Sequence, residues 1–474
     1  MTMVSRERSQ SGMIALQWNR VLNIAMVAVL SFAFSLILAS PAFAEVRKAD
    51  IIGDSTVDSL GLTVSECPNL ECDYAILADS DGNVYFQRDA QTAAQIASIT
   101  KVMTAIVACE NVEPDTIITV SAKAASIGES SAGLQEGDKM DFDTALKALL
   151  VPSGNDAAVA LAETVGAQMI EKDNSLGTDP QQVFVDAMNK KAASLGLEDT
   201  VYENPHGLDD DEFRGDLHST AEDQLAVARY AMSISKIRNI VGGGSTTIIV
   251  QRGSAAEQIE LKTTDGLLEM YSHTIGIKTG ETLAAGPSFM GAANNGDIEL
   301  YAIVLHSTDA TQRFYDAKEL FTWGYQHIID IQLANSAVSA HMTVNGSEKQ
   351  VPVLAEASLS AWTDKTVKVT LEDPDEKLRV FDLFGNVSQT IQLNDISGSV
   401  KAGQRVGTIT FKQHNAVIAT RDLVACEDVA APDFMQSVSI WWTRLTAGLT
   451  GAQTEAEDVY YATMPIVKDN TQAA

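Results

Sequence analysis

A serine and a lysine three residues apart, Ser98 and Lys101, are the side chains of this sequence best suited to covalent chemistry. They open an apolar run, residues 102–107, that is compatible with a helix. Residues at i and i+3 share one helix face, so this spacing places an amine beside a hydroxyl. A serine hydroxyl becomes a nucleophile when a base removes its proton, and a lysine can be that base when burial or a neighbouring cation keeps it neutral. A helix start also directs unpaired N–H groups toward developing negative charge.

Two short polar motifs follow in order, Ser153-Gly154-Asn155 and Lys278-Thr279-Gly280. In the first, the hydroxyl can join a proton relay and the amide can bind a substrate backbone. The second offers a cation and a hydroxyl to a carboxylate, and its glycine allows a substrate to approach the strand closely. Each tripeptide is weak evidence alone, but three motifs in this order, each in a suitable context, are strong evidence for one active site.

The three motifs together resemble the set found in penicillin-binding proteins and class A β-lactamases. Further stretches narrow the resemblance to the low-molecular-mass penicillin-binding proteins that act as serine-type D-alanyl-D-alanine carboxypeptidases. These stretches are residues 76–84, 133–138, 204–208, 218–221 and 400–409, with Thr282, Ala285 and Gly286. The resemblance extends over about residues 74–430.

The resemblance implies an α+β fold, a β-lactamase/transpeptidase-like sandwich with an antiparallel sheet, followed by a small all-β domain. The sequence pattern agrees, because strand signals bracket a group of helices over residues 74–332, and short strands with turn residues fill residues 337–430. Helices are predicted at residues 142–150, 157–171, 180–195, 220–235 and 310–328, and strands at residues 74–86, 246–250, 274–278, 289–293 and 298–305.

Length and charge agree with this interpretation. The chain of 474 residues is long enough for more than one domain. Its formal charge of -30 argues against a nucleic-acid-binding protein, because phosphate binding requires a basic face.

The N-terminus predicts a secretory signal peptide over residues 1–44. Basic residues precede an apolar run from Val21 to Leu38, and Ala42-Phe43-Ala44 offers a cleavage site before Glu45. The alternative is an uncleaved membrane anchor, since the run is near the lower length limit for spanning a bilayer. Both readings place the body of the protein outside the cytoplasm. Residues 45–73 are predicted to be a polar lead-in.

The four cysteines do not suggest a metal site. Cys67 and Cys72 flank a short loop and could form a local disulfide in an oxidising compartment. Cys109 falls in the apolar helix after Ser98, where a free thiol is expected, and Cys426 lies near the last predicted strand. The spacing of cysteines and histidines predicts neither a metal nor a cofactor.

The sequence pattern of residues 432–450 predicts an amphipathic helix. Its apolar residues recur at helical spacing along one face: Phe434, Val438, Trp441, Trp442, Leu445 and Leu449. Paired tryptophans favour a membrane–water interface, and the resemblance allows a monotopic anchor. The alternative is a helix docked on the protein's own surface. Residues 455–474 are polar and are predicted to be disordered.

The resemblance assigns catalytic and substrate-binding roles to seven residues: Ser98, Lys101 and Ser153 to catalysis, and Asn155, Lys278, Thr279 and Gly280 to substrate binding. It also implies an oxyanion hole built from the backbone N–H groups of Ser98 and Glu281. Family members more often carry histidine or an aromatic residue at the position of Glu281, and an acidic group there could weaken carboxylate binding.

The expected substrates are peptidoglycan stem peptides that end in D-Ala-D-Ala, with β-lactams as inhibitors and nucleic acid excluded. Two other functions stay open at this point. A serine β-lactamase needs a base for deacylation, and no convincing glutamate follows Ser153. A non-catalytic protein that binds wall peptides is disfavoured by the intact catalytic motifs.

Overall fold

The structure, a computed structural model, describes residues 47–210, 213–344, 346–451 and 454–464. The predicted signal peptide lies outside the described residues. Within these ranges the helices in chain order are α1 (Val57–Leu60), α2 (Thr100–Asn111), α3 (Ala122–Ala125), α4 (Phe142–Leu150), α5 (Asn155–Lys172), α6 (Pro180–Ser194), α7 (Ala221–Ser233), α8 (Ser235–Val241), α9 (Leu267–Met270), α10 (Gln312–His327) and α11 (Phe434–Thr450).

The strands before residue 310 are β1 (Ile51–Ile52), β2 (Ser55–Thr56), β3 (Tyr74–Asp79), β4 (Val84–Arg88), β5 (Ile117–Thr119), β6 (Lys139–Asp141), β7 (Thr246–Arg252), β8 (Ala255–Leu261), β9 (Thr274–Gly280), β10 (Ser288–Asn294) and β11 (Glu299–Leu305). The strands after it are β12 (Ile328–Gln332), β13 (Ser339–Val344), β14 (Ser347–Pro352), β15 (Ala355–Ser358), β16 (Thr366–Leu371), β17 (Lys377–Phe381), β18 (Ser388–Leu393), β19 (Arg405–Gln413), β20 (Ala416–Ala425) and β21 (Val459–Tyr460).

A seven-stranded sheet with the order β2-β1-β4-β3-β11-β10-β9 forms the centre of the molecule, and its pairings are antiparallel. One face of this sheet packs against α7 and the group of helices around α2, and the other face packs against α10. This confirms the predicted α+β sandwich. Strand β9, which carries Lys278-Thr279-Gly280, lies at the edge of the sheet.

Helix α2 lies at the centre of the larger core, where every residue from Thr100 to Ala108 is buried. It packs against α4, α5, α6 and α7. A helix surrounded by others needs no polar face, which explains its almost continuous apolar sequence. Three of these neighbours, α4, α6 and α7, have side-chain caps at their N-termini, such as Asp141 on Thr144 N in α4 and Thr220 on Asp223 N in α7. Helix α2 is therefore a rigid support for the residues that precede it.

The segment before residue 74 is more than the predicted lead-in. Its strand β1 pairs with β4 and extends the central sheet. Asp50 also forms a 2.6 Å ion pair with Arg88, and both side chains are buried. A buried guanidinium needs a paired anion, so this contact attaches the segment to the sheet. The prediction missed this because the partner carboxylate lies 38 residues away along the chain.

The C-terminal region contains the expected all-β structure. Its largest sheet has the order β18-β19-β20-β16-β15-β21 around a separate apolar core, and β12-β17 and β13-β14 form two smaller sheets. Strand β21 corrects the prediction that residues 455–474 are disordered. Val459 and Tyr460 pair with β15, and the N–H of Tyr461 donates to Leu354 O at 2.9 Å. The β-branched and aromatic residues of this short run explain its strand structure. Residues 465–474 lie outside the described residues.

Helix α11 forms as predicted, with Asp433 and Gln436 in a capping box at its N-terminus. One face docks on the β domain, where Ala447 is buried and Arg444 Nη2 donates to Ser360 O at 2.6 Å. The opposite face exposes large apolar side chains: Phe434, Met435, Val438, Trp441, Trp442, Leu445 and Leu449. Among the residues described, none of the helices has both the length and the apolar character that crossing a bilayer requires.

The cysteines in the structure are free thiols. The sequence left the pairing of Cys67 and Cys72 open, and in this structure the two thiols are not joined. Both thiols are buried in the apolar core behind the central sheet, and burial raises the pKa of Cys67 to about 11. They therefore serve as small apolar core residues. Cys109 is free as predicted and partly buried, and Cys426 is buried.

Candidate active site

Ser98 lies in a short 3-10 turn, Ala97–Ile99, that leads directly into α2. The helix predicted from Ser98 therefore begins two residues later, at Thr100. Ala97 has a φ of 47°, in the left-handed region that L-residues rarely adopt. Backbone strain of this kind concentrates at functional sites, where the surrounding structure enforces it. Here it sets the turn that presents the Ser98 hydroxyl.

The Lys101 amine lies 2.7 Å from Ser98 Oγ, and it also donates to the backbone carbonyl of His206 at 2.7 Å. Burial lowers the pKa of Lys101 well below its usual value, and the positive charge of Lys278 lowers it further, against the opposing effect of Asp156. Both causes considered from the sequence therefore act on Lys101, and burial is the larger one. The Lys101 amine therefore lies within hydrogen-bond distance of the Ser98 hydroxyl, in surroundings that favour its neutral form.

Ser153 lies in the loop between α4 and α5, with a buried side chain and a φ of 64°. Two contacts join this loop to β9. Val151 O accepts from Thr264 N at 3.1 Å, and the Thr264 and Thr279 hydroxyls are 2.7 Å apart. The second predicted motif is thereby attached to the strand that carries the third.

Asn155 is the first residue of α5 and is buried. Its Nδ2 donates to Gly128 O at 3.1 Å, which orients the amide. Within the part of the chain that the structure describes, its Oδ1 has no hydrogen-bond partner. A buried carbonyl oxygen without a partner is costly, so this atom is suited to accept a hydrogen bond from a bound substrate.

The third motif lies against the turn that holds Ser98. An added Cβ on Gly280 would come within 2.6 Å of Ile96 O, so the glycine permits close approach of β9 to this turn. The sequence had assigned Gly280 only to substrate approach. Lys278 is buried, and its Nζ donates to Thr279 O at 2.8 Å. Burial, followed by the charge of Arg313, lowers the pKa of Lys278 to about 7.

Arg313, in the first turn of α10, is the charged residue at the end of β9 that the sequence did not predict. Its Nη1 donates to Gly280 O at 3.1 Å and to Glu281 Oε2 at 3.0 Å. Asp265 is buried on the same side, and its charge acts on both Arg313 and Lys278. Burial raises the pKa of Asp265 to about 6. No local motif marks Arg313, because it follows Glu281 by 32 residues.

His206 also enters the site, through its backbone. Its ring is buried, Nδ1 accepts from Leu208 N at 3.2 Å, and burial lowers the pKa of the ring to about 3. Phe213 packs edge-on against the ring at a centroid distance of 4.7 Å. The ring therefore supports the loop, and the carbonyl of the same residue holds Lys101.

The motifs and the fold have counterparts among known proteins. A family profile described as "Peptidase_S11: D-alanyl-D-alanine carboxypeptidase" matches residues 62–309, a range that contains the three motifs. The chain belongs to this family.

Individual relatives agree with the family. The chain is 26% identical to the D-alanyl-D-alanine carboxypeptidase DacF of Bacillus subtilis over 374 residues, 77% of this chain and 87% of the relative. It is similar to the crystal structure of the Streptomyces K15 DD-transpeptidase, with 29% identity, a TM-score of 0.50, and coverage of 55% of this chain and 98% of the other. The D-alanyl-D-alanine carboxypeptidase DacD of Francisella tularensis has the same fold, at 21% identity and a TM-score of 0.51 over 77% of this chain and 94% of the other.

Family membership decides between the functions left open by the sequence. The protein is a serine-type D-Ala-D-Ala carboxypeptidase of the Peptidase_S11 family and acts on peptidoglycan. The β-lactamase and the non-catalytic alternatives are not supported. As a member of a family of cell-wall enzymes, the carboxypeptidase works outside the cytoplasm.

Proposed function

We propose that Ser98, Lys101 and Ser153 carry out this hydrolysis, and that Asn155, Lys278, Thr279 and Gly280 bind the substrate. The contact that supports this assignment best is the 2.7 Å approach of the Lys101 amine to Ser98 Oγ. Burial favours the neutral form of this amine, and the neutral amine can accept the hydroxyl proton. A solvated lysine in the same position would hold its proton and could not act as the base.

The substrate is a stem peptide ending in D-Ala-D-Ala. Its terminal carboxylate binds at Lys278 and Thr279, at the edge of the sheet, and its backbone N–H donates to the free Oδ1 of Asn155. Gly280 leaves room for the peptide beside β9. These contacts place the penultimate carbonyl next to Ser98 and fix its orientation.

In the first half of the reaction, Lys101 takes the proton of Ser98 while Oγ attacks the penultimate D-Ala carbonyl carbon. The backbone N–H groups of Ser98 and Glu281 stabilise the resulting oxyanion. Collapse of the tetrahedral intermediate breaks the C–N bond, and the departing D-alanine amine receives the proton through Ser153. In the second half, water hydrolyses the ester, returns the proton to Ser98 and releases the shortened peptide.

The assignment predicts that Ser98→Ala lowers D-alanine release from a pentapeptide by roughly a thousandfold or more, because the nucleophile is removed. Ser194→Ala is the matched control, since Ser194 is exposed near the end of α6. Free D-alanine and covalent labelling by a fluorescent penicillin are measured for both variants. Release or labelling that survives in Ser98→Ala contradicts the assignment. A β-lactam acylates the same hydroxyl, and we expect slow release, since no deacylating glutamate was recognised after Ser153.

We further propose that helix α11 attaches the enzyme to the outer face of the cytoplasmic membrane. Its outward face carries Trp441 and Trp442, each 60% exposed, while Arg444 is turned toward the β domain. Tryptophan is favoured at the membrane–water interface, and the few charges on this face agree with insertion. The double variant Trp441→Ser/Trp442→Ser is expected to lose co-flotation with phosphatidylglycerol vesicles and to keep D-alanine release. Unchanged flotation would refute the attachment.

A further inference from the structure

Glu281 directly follows β9 and lies at the mouth of the carboxylate-binding site. Its side chain is 50% exposed, whereas the side chain of its partner Arg313 is only 10% exposed. Arg313 Nη1 donates to Glu281 Oε2 at 3.0 Å and to Gly280 O at 3.1 Å. The guanidinium is therefore fixed at the end of the Lys278-Thr279-Gly280 strand, and the carboxylate bound to it can move into solvent.

Arg313 belongs electrostatically to the site that receives the substrate's carboxylate. Its Nη1 lies 3.1 Å from the backbone carbonyl of Gly280, two residues after Lys278, and its charge is the largest Coulombic contribution that lowers the pKa of that lysine. Among the residues that the structure describes, its Nε has no hydrogen-bond partner. A guanidinium fixed in this way binds carboxylates well, because its planar set of donors matches their oxygens.

We propose that Glu281 is a built-in competitor of the substrate's terminal carboxylate and thereby a specificity-determining residue. This proposal rests on the proposed role of Lys278 and Thr279. In the free enzyme Glu281 is the carboxylate that pairs directly with the largely buried Arg313 guanidinium. A ligand carboxylate at the end of β9 is repelled by the negative charge of Glu281, and it can bind Arg313 only after the Glu281 side chain has moved away. A ligand without a carboxylate is not repelled.

The test compares benzylpenicillin with its methyl ester, two acylating agents that differ in the charge of the carboxyl group. In Glu281→Gln the ratio of their second-order acylation rates, acid over ester, is expected to rise roughly threefold to fivefold, the upper range for partly exposed ion pairs. Glu171→Gln removes the same charge from an exposed position at the end of α5 and is expected to leave the ratio unchanged.

A second pair of variants tests whether Glu281 acts through Arg313. In an Arg313→Gln background, Glu281→Gln is expected to lose most of its effect on the acid-over-ester ratio. The guanidinium for which Glu281 and the ligand carboxylate compete is then absent. Thermal unfolding checks that the buried substitution leaves the protein folded, and Glu281→Ala repeats the measurement with a shorter side chain.

The outcomes separate this proposal from the proposed function. If the acid-over-ester ratio stays constant or falls in Glu281→Gln, Glu281 does not compete with the ligand carboxylate and the proposal is refuted. A fall would mean that Glu281 holds Arg313 in place for the ligand. An effect that persists in full without Arg313 also overturns the proposal. The proposed function fails by a different result, namely acylation that survives Ser98→Ala.

Discussion

Replacing Gly280 by alanine should separate the substrate-binding strand from the nucleophile while changing no functional group. The added Cβ would lie 2.6 Å from Ile96 O, 3.1 Å from Ile99 Cγ1 and 3.2 Å from Ile99 N. Two of these three atoms belong to the backbone of the turn that holds Ser98, so no side-chain rotation can relieve the contact. Strand β9 has to move away from the turn instead.

The size of the effect follows from that displacement. An ordinary van der Waals contact with Ile96 O, 2.6 Å away, requires the added Cβ to move back by roughly 0.8 Å. Since a misplacement of 1 Å can cost about a hundredfold in rate, we expect acylation to fall by at least about tenfold. Overpacking of this kind also costs about 1–3 kcal/mol of stability.

The assay is the second-order rate of acylation by a fluorescent penicillin, with thermal unfolding of the same samples. Gly398→Ala is the matched control, because a Cβ at that position meets no atom within 4 Å and its backbone is not left-handed. Its acylation rate should equal that of the unmodified protein. If Gly280→Ala also reacts at that rate while folded, the close approach of β9 to the Ser98 turn does not position the substrate, and the reasoning fails.

Two further predictions concern charge and the C-terminus. Acylation by benzylpenicillin should decline as pH rises through about 7, because Lys278, with its pKa near that value in the free enzyme, loses the charge that binds the carboxylate. The methyl ester should show no such decline, and equal profiles for the two compounds would contradict the role of Lys278. Tyr461→Pro removes the N–H that bonds to Leu354 O, and should lower the free energy of unfolding of the β domain by about 1–3 kcal/mol. Unaltered thermal unfolding and protease resistance would show that β21 does not stabilise the sheet.

The sequence was informative about the site where the chemistry is local. Ser98 and Lys101 lie one turn apart in the chain, so their contact follows from spacing alone. The order of the three motifs then identified the fold that brings them together. The geometry of the turn was harder to predict, because an alanine gives no signal of the left-handed φ that Ala97 adopts.

Contacts between distant segments could not be predicted in the same way. Arg313 contacts Glu281 across 32 residues, and Asp50 contacts Arg88 across 38. No local motif marks Arg313 or Asp50. The tail shows a related difficulty. Its polar composition predicted disorder, yet a few residues around Tyr460 pair with the edge strand β15 and extend the sheet. An edge strand offers unpaired backbone groups to any nearby extended segment, whatever its average composition.

The two lysines of the site are electrostatically dependent on each other, and this connects binding to chemistry. The charge of Lys278 is one cause of the lowered pKa of Lys101, after burial. A substrate carboxylate bound at Lys278 offsets that charge and so raises the pKa of Lys101. Burial, the larger cause, persists in the complex and still favours the neutral amine. Under the proposed mechanism Lys101 is therefore a stronger base when the substrate is bound, at the step in which it would take the proton of Ser98. A β-lactam without a carboxylate would not bind Lys278 through an ion pair, and it would not raise the pKa of Lys101.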